Sequence, residues 1–197
     1  MSAPPILGES KHRKHHHILI TGCSGGGKST LIDALSQAGH SVVPEPGLRI
    51  VRSEKARGGT ALPWRDMPAF LWRAVAMARA DLVAVAEDTP PVFFDRGLLD
   101  AAVGLQHLCG VPFSETLGTG FPYAKRIVLA PPWREIYLRT ENRQHSFKDA
   151  THEYDRIRDA TVNLGCDILE LPQVDVKTRL SIIHSAFGLS PPLTERL

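Results

Sequence analysis

The sequence predicts a three-layer α/β sandwich built on a five-stranded parallel sheet. Three observations predict it. Short apolar runs alternate with helical patterns along the chain, which implies parallel pairing through right-handed crossovers. The first apolar run leads at once into a glycine-dense turn and then a helix pattern, as in "ILITGCSGGGKSTLIDAL". No internal repeat competes with that order, and no apolar run approaches the roughly 18 residues of a membrane span.

Each element has a local reason. Residues 1–14 carry Pro4 and Pro5 and a basic, His-rich stretch, and are expected to form a flexible tail. "KHRKHHH" reads either as a metal-binding tract or as a solvated lead into the first strand. Residues 15–197 are long enough for one domain with a full core and too short for two. Its first strand is expected over His17–Thr21, and its first helix runs from about Lys28 to Ala38, closed by Gly39. "HSVVPE" is a second strand, and "LRIVRSEKA" a helical piece before Gly58 and Gly59. From Arg65 to about Glu87, Leu71, Val75, Ala78, Leu82 and Val85 recur at spacings of three and four, the stripe of an amphipathic helix. "PPVFFDRG" is the third strand, its prolines confined to the start, and "LLDAAVGLQHL" the following helix. "AKRIVLAPP" is the fourth strand, "WREIYLR" a short helix and "SFKDATHEYDRIRDATVNL" a longer one. "DILELP" is the fifth strand, and Val174 to Phe187 the last helix.

Composition excludes several classes. A hydrophobic share of 43% with 22% charged residues is that of an ordinary globule, and a net charge of +2 gives no footprint for nucleic acid or a membrane surface. Cys23, Cys109 and Cys166 form no C-x-x-C pair, which argues against a disulfide frame or zinc site and suits a reducing cytoplasm. The N-terminus has no basic segment leading into an apolar core, so no secretory signal is expected.

Gly22-Cys23-Ser24-Gly25-Gly26-Gly27-Lys28-Ser29 fits G-x-x-x-x-G-K-[ST] at every fixed position. Glycines let backbone N–H groups point inward at phosphate oxygens, where a Cβ would obstruct the nest. Lys28 would set a point charge against the β- and γ-phosphates, and the Ser29 hydroxyl would ligate Mg²⁺. The helix start, through Thr30, adds its positive dipole end. The binding set is therefore Gly22, Gly25, Gly26, Gly27, Lys28, Ser29 and Thr30. Cys23 inside this loop is either an oxidation-sensitive thiol or a tolerant loop position.

The third strand ends at Asp95, where a carboxylate would hold Mg²⁺; the same position also suits a helix N-cap. Arg96 follows as a phosphate-binding candidate. Glu45, between Pro44 and Pro46, ends the second strand opposite the loop. It reads as a general base or acceptor-orienting group, or as a surface turn acid. Residues 133–147 would form a lid carrying Arg134, Arg139 and Arg143, of which Arg143 is the leading candidate to meet charge developing on a transferred phosphoryl group. Any of the three is equally readable as a solvated helix charge. Asp100 reads as an acceptor contact or a solvated helix acid. Trp64, Met67, Phe70 and Trp72 would wall an acceptor pocket or pack in the core.

"ILITGCSGGGKSTLIDALSQAGHSVVPEPGLRIV", "VFFDRGLLDA" and "VLAPPWREIY…ENRQHSF" together resemble the small AAA-domain ATP-binding proteins. These are P-loop NTPases related to the ribosylnicotinamide kinase domain of bifunctional NAD-biosynthesis regulators. The resemblance covers nearly all of residues 17–188. It implies a nucleoside- or nucleotide-kinase-like fold with sheet order 2-3-1-4-5, ATP as ligand, and the roles given above for Lys28, Ser29 and Asp95. "VVPEP" also resembles the strand end that carries the catalytic carboxylate of deoxynucleoside kinases, here Glu45. The expected activity is ATP-dependent transfer of the γ-phosphate to a small hydroxyl-bearing, nucleoside-like metabolite in the cytoplasm, with Lys28, Glu45, Asp95, Arg96 and Arg143 as the catalytic set. A rival reading is a nucleotide-dependent ATPase switch that signals through loop order. No guanine-reading N/T-K-x-D motif occurs, which disfavours GTP.

Overall fold

A computed structural model of the 197-residue chain describes residues 16–85, 91–137 and 146–190. The described strands are β1 (His17–Gly22), β2 (Ser41–Val43), β3 (Val92–Asp95), β4 (Arg126–Ala130) and β5 (Asp167–Glu170). They pair in parallel in the order β2-β3-β1-β4-β5, which is the order the resemblance implies. The helices are α1 (Lys28–Gln37), α2 (Pro46–Arg57), α3 (Met67–Ala84), α4 (Leu98–Cys109), α5 (Phe113–Leu117), α6 (Phe147–Asn163) and α7 (Val176–Phe187).

Alternation along the strands sends side chains into two cores, one on each face of the sheet. Leu19, Phe94, Ile127 and Leu129 point to the layer of α3, α4 and α6. Ile18, Ile20, Phe93 and Val128 point to the layer of α1 and α7, where Leu31, Leu35 and Ile183 meet them. β1 is buried along its whole length, as a central strand covered on both faces must be. Each fully buried Leu, Ile or Phe contributes on the order of 2 kcal/mol. The centre of the sheet is therefore a rigid base for whatever projects from its carboxyl edge.

Boundaries differ from expectation where chain chemistry acts locally. α2 begins at Pro46, two residues earlier than the apolar pattern suggests, because proline at the first helical position is already set for the helix. α3 starts at Met67, where the Asp66 side chain accepts from the Ala69 N–H at 3.0 Å, and ends at Ala84. Residues 134–136 form a single 3₁₀ turn in place of the expected short α-helix. The small helix α5 had no periodic signal to announce it, being five residues long. Between α2 and α3, buried Glu54 accepts from the Ala61 N–H at 3.0 Å and pairs with Arg57 and Arg73, which pins the two helices together.

Candidate active site

The turn after β1 is stitched to the end of β4. The Cys23 N–H donates to the Ala130 carbonyl at 3.3 Å, and a Cβ on Gly22 (φ 120°) would collide with that same carbonyl. Gly27 (φ 81°) closes the turn as the N-cap of α1, with no capping side chain and no acid in the first turn. The glycines thus serve a purpose beyond an open nest: they let the loop lie flat against the end of β4. The first N–H groups of α1, left without a cap, carry the positive end of the helix dipole. Ser29 and Thr30 are exposed on that first turn.

Lys28 lies close against the loop itself. It is 7% exposed and folds back over its own loop, donating through Nζ to the carbonyls of Gly22 at 3.3 Å and Cys23 at 2.5 Å. Burial, and then the charge of Arg96, lower its pKa.

β3 lies beside β1 in the register Ile20↔Asp95, so Asp95 emerges next to the start of the loop. Asp95 is 5% exposed, and its Oδ1 is buried with no hydrogen-bond partner. Burial, and next the charge of Glu45, raise its pKa to about 6; Lys28 and Arg96 oppose the rise. Asp95 is not a helix cap. The N-cap of α4 is Gly97, and its N–H goes to Asp100 Oδ2 at 3.0 Å.

Asp100 also accepts from Thr21 Oγ1 and from Arg96 Nη1 at 2.9 Å, so it is no solvated acid. Arg96 stands in the left-handed region (φ 55°), a conformation that costs a non-glycine residue on the order of 1 kcal/mol. The turn is held by its own N–H, which donates to Ile20 O at 2.9 Å, and by three carboxylates around its side chain. These are Asp100, Glu153 Oε1 at 2.8 Å and, more loosely, Glu45 Oε1 at 3.6 Å. Burial works against its charge, but the carboxylates outweigh that and hold its pKa well above the usual value. Glu45 itself is the N-cap residue of α2, with its side chain one-quarter exposed.

The structure therefore brings together Lys28, Glu45, Asp95, Arg96 and Asp100 at the carboxyl edge of the sheet, where ligands of open α/β folds bind. Arg134 is exposed, with its guanidinium 5.2 Å from the centre of the Phe147 ring. Arg139 and Arg143 lie outside the described residues. Trp64 and Trp72 are exposed, whereas Met67 and Phe70 pack against the core. Cys23 is fully buried.

Two residues of this region went unread in the sequence: Glu153 and Arg179. Both had a signal. Ala150, Tyr154, Ile157 and Ala160 make the buried stripe of α6, and Glu153 lies on it, three residues after Ala150 and four before Ile157. Arg179 precedes buried Ile183 by four residues in α7. A charged residue on an apolar stripe asks for a partner.

The orphaned Oδ1 of Asp95 fits a divalent cation, because a buried carboxylate oxygen with no donor is costly unless a ligand meets it. Among the described residues no group of three or more His, Cys, Asp or Glu makes a self-sufficient metal cage. A single buried carboxylate beside the loop is compatible with Mg²⁺, which usually takes one or two carboxylates together with substrate phosphates. Among the described residues, no helix is long and apolar enough to cross a membrane.

The family profile described as AAA domain matches residues 17–179. The chain belongs to this AAA-domain family. A nucleotide-binding protein of Granulibacter bethesdensis is 37% identical over 90 residues, covering 36% of this chain and 26% of that protein. Among solved structures, NadR in complex with NR has a TM-score of 0.61 at 17% identity, over 94% of this chain and 52% of NadR. The chain thus spans about a quarter and about half of the lengths of these two relatives. Deoxyadenosine kinase from M. mycoides, with products dCMP and a flexible dCDP bound, has a TM-score of 0.58 at 15% identity, over 87% of this chain and 98% of that enzyme. Shikimate kinase from Acinetobacter baumannii follows at 0.54 and 15%, over 90% and 96%. Identities this low speak to fold, and the fold is that of P-loop nucleotide-binding kinases, as the resemblance in the sequence implied.

Proposed function

We propose that the chain is a cytoplasmic ATP-dependent phosphotransferase acting on a small hydroxyl-bearing, nucleoside-like acceptor. In this reading residues 15–197 are one domain and residues 133–147 its lid. The observation that supports a kinase most is the convergence of Glu45, Arg96 and Glu153 from three different elements beside Asp95. Hydrolysis needs only a water, whereas a built acidic recess next to the phosphate loop suits an acceptor with hydroxyl groups to orient.

ATP with Mg²⁺ would supply the transferable phosphoryl group and the cation that spreads its charge. Gly22, Gly25, Gly26, Gly27 and the first turn of α1 through Thr30 would bind the phosphates. Lys28 would exchange its loop carbonyls for phosphate oxygens, and Ser29 with ionised Asp95 would hold the cation. Glu45 would orient the acceptor hydroxyl and take its proton. The charge of Arg96 is already shared among three carboxylates, so its part is to hold Glu45 and Glu153 in place. Lys28 and the lid arginine Arg143 would then meet the charge that develops on the transferred group.

A screen of wild-type protein against a metabolite pool with γ-labelled ATP tests the proposal. A labelled, acceptor-dependent product supports it. Turnover of ATP with no phosphorylated product from any fraction would overturn it in favour of a nucleotide-dependent switch.

A further inference from the structure

Arg179 of α7 is 2% exposed and lies against the back of the phosphate loop. Its Nη1 donates to the Gly26 carbonyl at 2.7 Å and its Nε to the Pro172 carbonyl at 2.8 Å, while its guanidinium sits 4.7 Å from the centre of the Trp133 ring. Nη2 is buried and has no partner. Among the described residues the guanidinium meets two carbonyls and an aromatic face, and no carboxylate. A buried cation without a counter-charge is costly, and a fold that needed only packing here would do better with an apolar side chain.

The contact with Gly26 has a geometric consequence. Across a planar trans peptide the carbonyl of one residue and the N–H of the next point in opposite directions. Gripping the Gly26 carbonyl from the α7 side therefore turns the Gly27 N–H toward the side that α7 does not cover. The grip is close: a Cβ on Gly27 would lie 2.9 Å from Nη1. The fork of Nε and Nη1 spans Pro172 and Gly26, so the loop is referenced to the segment after β5 as well as to β4.

We propose that Arg179 is a positioning residue for the nucleotide: it orients the Gly26–Gly27 peptide for phosphate and supplies, from behind the loop, a positive charge that a di- or triphosphate compensates. This rests on the reading of the loop as a nucleotide site, and it does not depend on what accepts the phosphoryl group.

The test is titration of the full chain with a non-hydrolysable ATP analogue plus Mg²⁺, and separately with inorganic tripolyphosphate, for wild type, Arg179→Met and Arg179→Lys. Thermal melts of the free proteins accompany the titrations. Arg179→Met should weaken both ligands about tenfold or more per folded molecule, the scale of a lost charged hydrogen bond. Arg179→Lys should fall between, since it keeps the charge and loses the two-carbonyl fork. The parallel loss for tripolyphosphate is the readout that a purely structural role would not move. Lower melting temperatures with wild-type affinity in the folded fraction of either variant would overturn the inference. If Arg179→Met does not fold, wild-type affinity in folded Arg179→Lys overturns it alone. Wild-type protein that binds neither ligand would overturn the nucleotide reading itself, and this inference with it.

Discussion

Asp95→Asn should separate the stability of this protein from its activity, in opposite directions. Asp95 is 5% exposed, and its pKa is raised from 3.8 to about 6, first by burial and then by Glu45 and Asp100, against Lys28 and Arg96. Between those two values the folded protein binds more protons than the unfolded chain, so Asp95 makes stability fall as pH rises through that window. The gap is about two pH units at about 1.4 kcal/mol each, so ionising Asp95 within the fold costs on the order of 3 kcal/mol. Asparagine keeps the size and removes the charge. In urea unfolding with a chelator present, the stability of the variant minus that of wild type should grow by about this amount from about pH 4 to about pH 7, then level off. Mg²⁺-dependent turnover should fall at least about tenfold over the same range. A difference in stability that is flat with pH would refute the argument, as would a variant that is less stable than wild type at pH 8.

Lys28→Ala should bind the ATP analogue at least about tenfold more weakly with a melting temperature near that of wild type, because Cys23 and Gly26 still tie the loop to Ala130 and Arg179; unchanged affinity in folded protein would remove the phosphate-loop assignment. Glu45→Gln should leave ATP affinity within a small factor while acceptor-dependent transfer falls about a hundredfold, the share of a positioned general base. Equal losses of basal hydrolysis and transfer would count against an acceptor-side role. His40 and His184 face each other, Nε2 to Nε2, at 2.9 Å, and burial lowers both pKa values from 6.5, with the His184 charge adding to the effect on His40. The unfolded chain therefore takes up protons first, and stability is lost as pH falls below about 6.5; His40→Gln should flatten that acid slope, and an unchanged slope would show that the pair does not carry it.

The parts of the site that were legible are those whose function is written in consecutive residues. The loop from Gly22 to Ser29 and the strand end at Asp95 each combine a backbone shape and a side chain in one short stretch, so spacing and type suffice. The sheet order followed from resemblance alone, since alternation of strands and helices is compatible with several orders. Asp100 lies only four residues from Arg96, but the pairing of Arg96 with Glu45 and Glu153 was not legible, because those two come from distant elements that only the folded sheet brings to one edge. The loop contact of Arg179 was hidden for the same reason, since Gly26 is 153 residues away. The glycines have a second reason that the motif did not show. A nest for phosphate explains their number, but the contacts of Gly22 with Ala130 and of Gly27 with Arg179 explain why those two positions tolerate nothing larger.

Two buried groups of opposite sign flank the phosphate loop without meeting. Asp95 has an oxygen with no donor, Arg179 a nitrogen with no acceptor, and neither contributes to the titration of the other. Direct pairing would have settled both, at the expense of the loop that stands between them. Each instead raises the free energy of the fold by a few kcal/mol at most, an amount a globular fold can carry only at few positions. In the proposed nucleotide site that energy would be recovered by a ligand that presents positive charge to Asp95 and negative charge to the loop in front of Arg179. A divalent cation alone would answer only the first, and a bare polyphosphate only the second. A metal–polyphosphate complex answers both at once. On the proposed reading, the two groups would therefore favour the paired ligand over either half, because only the pair relieves both burdens.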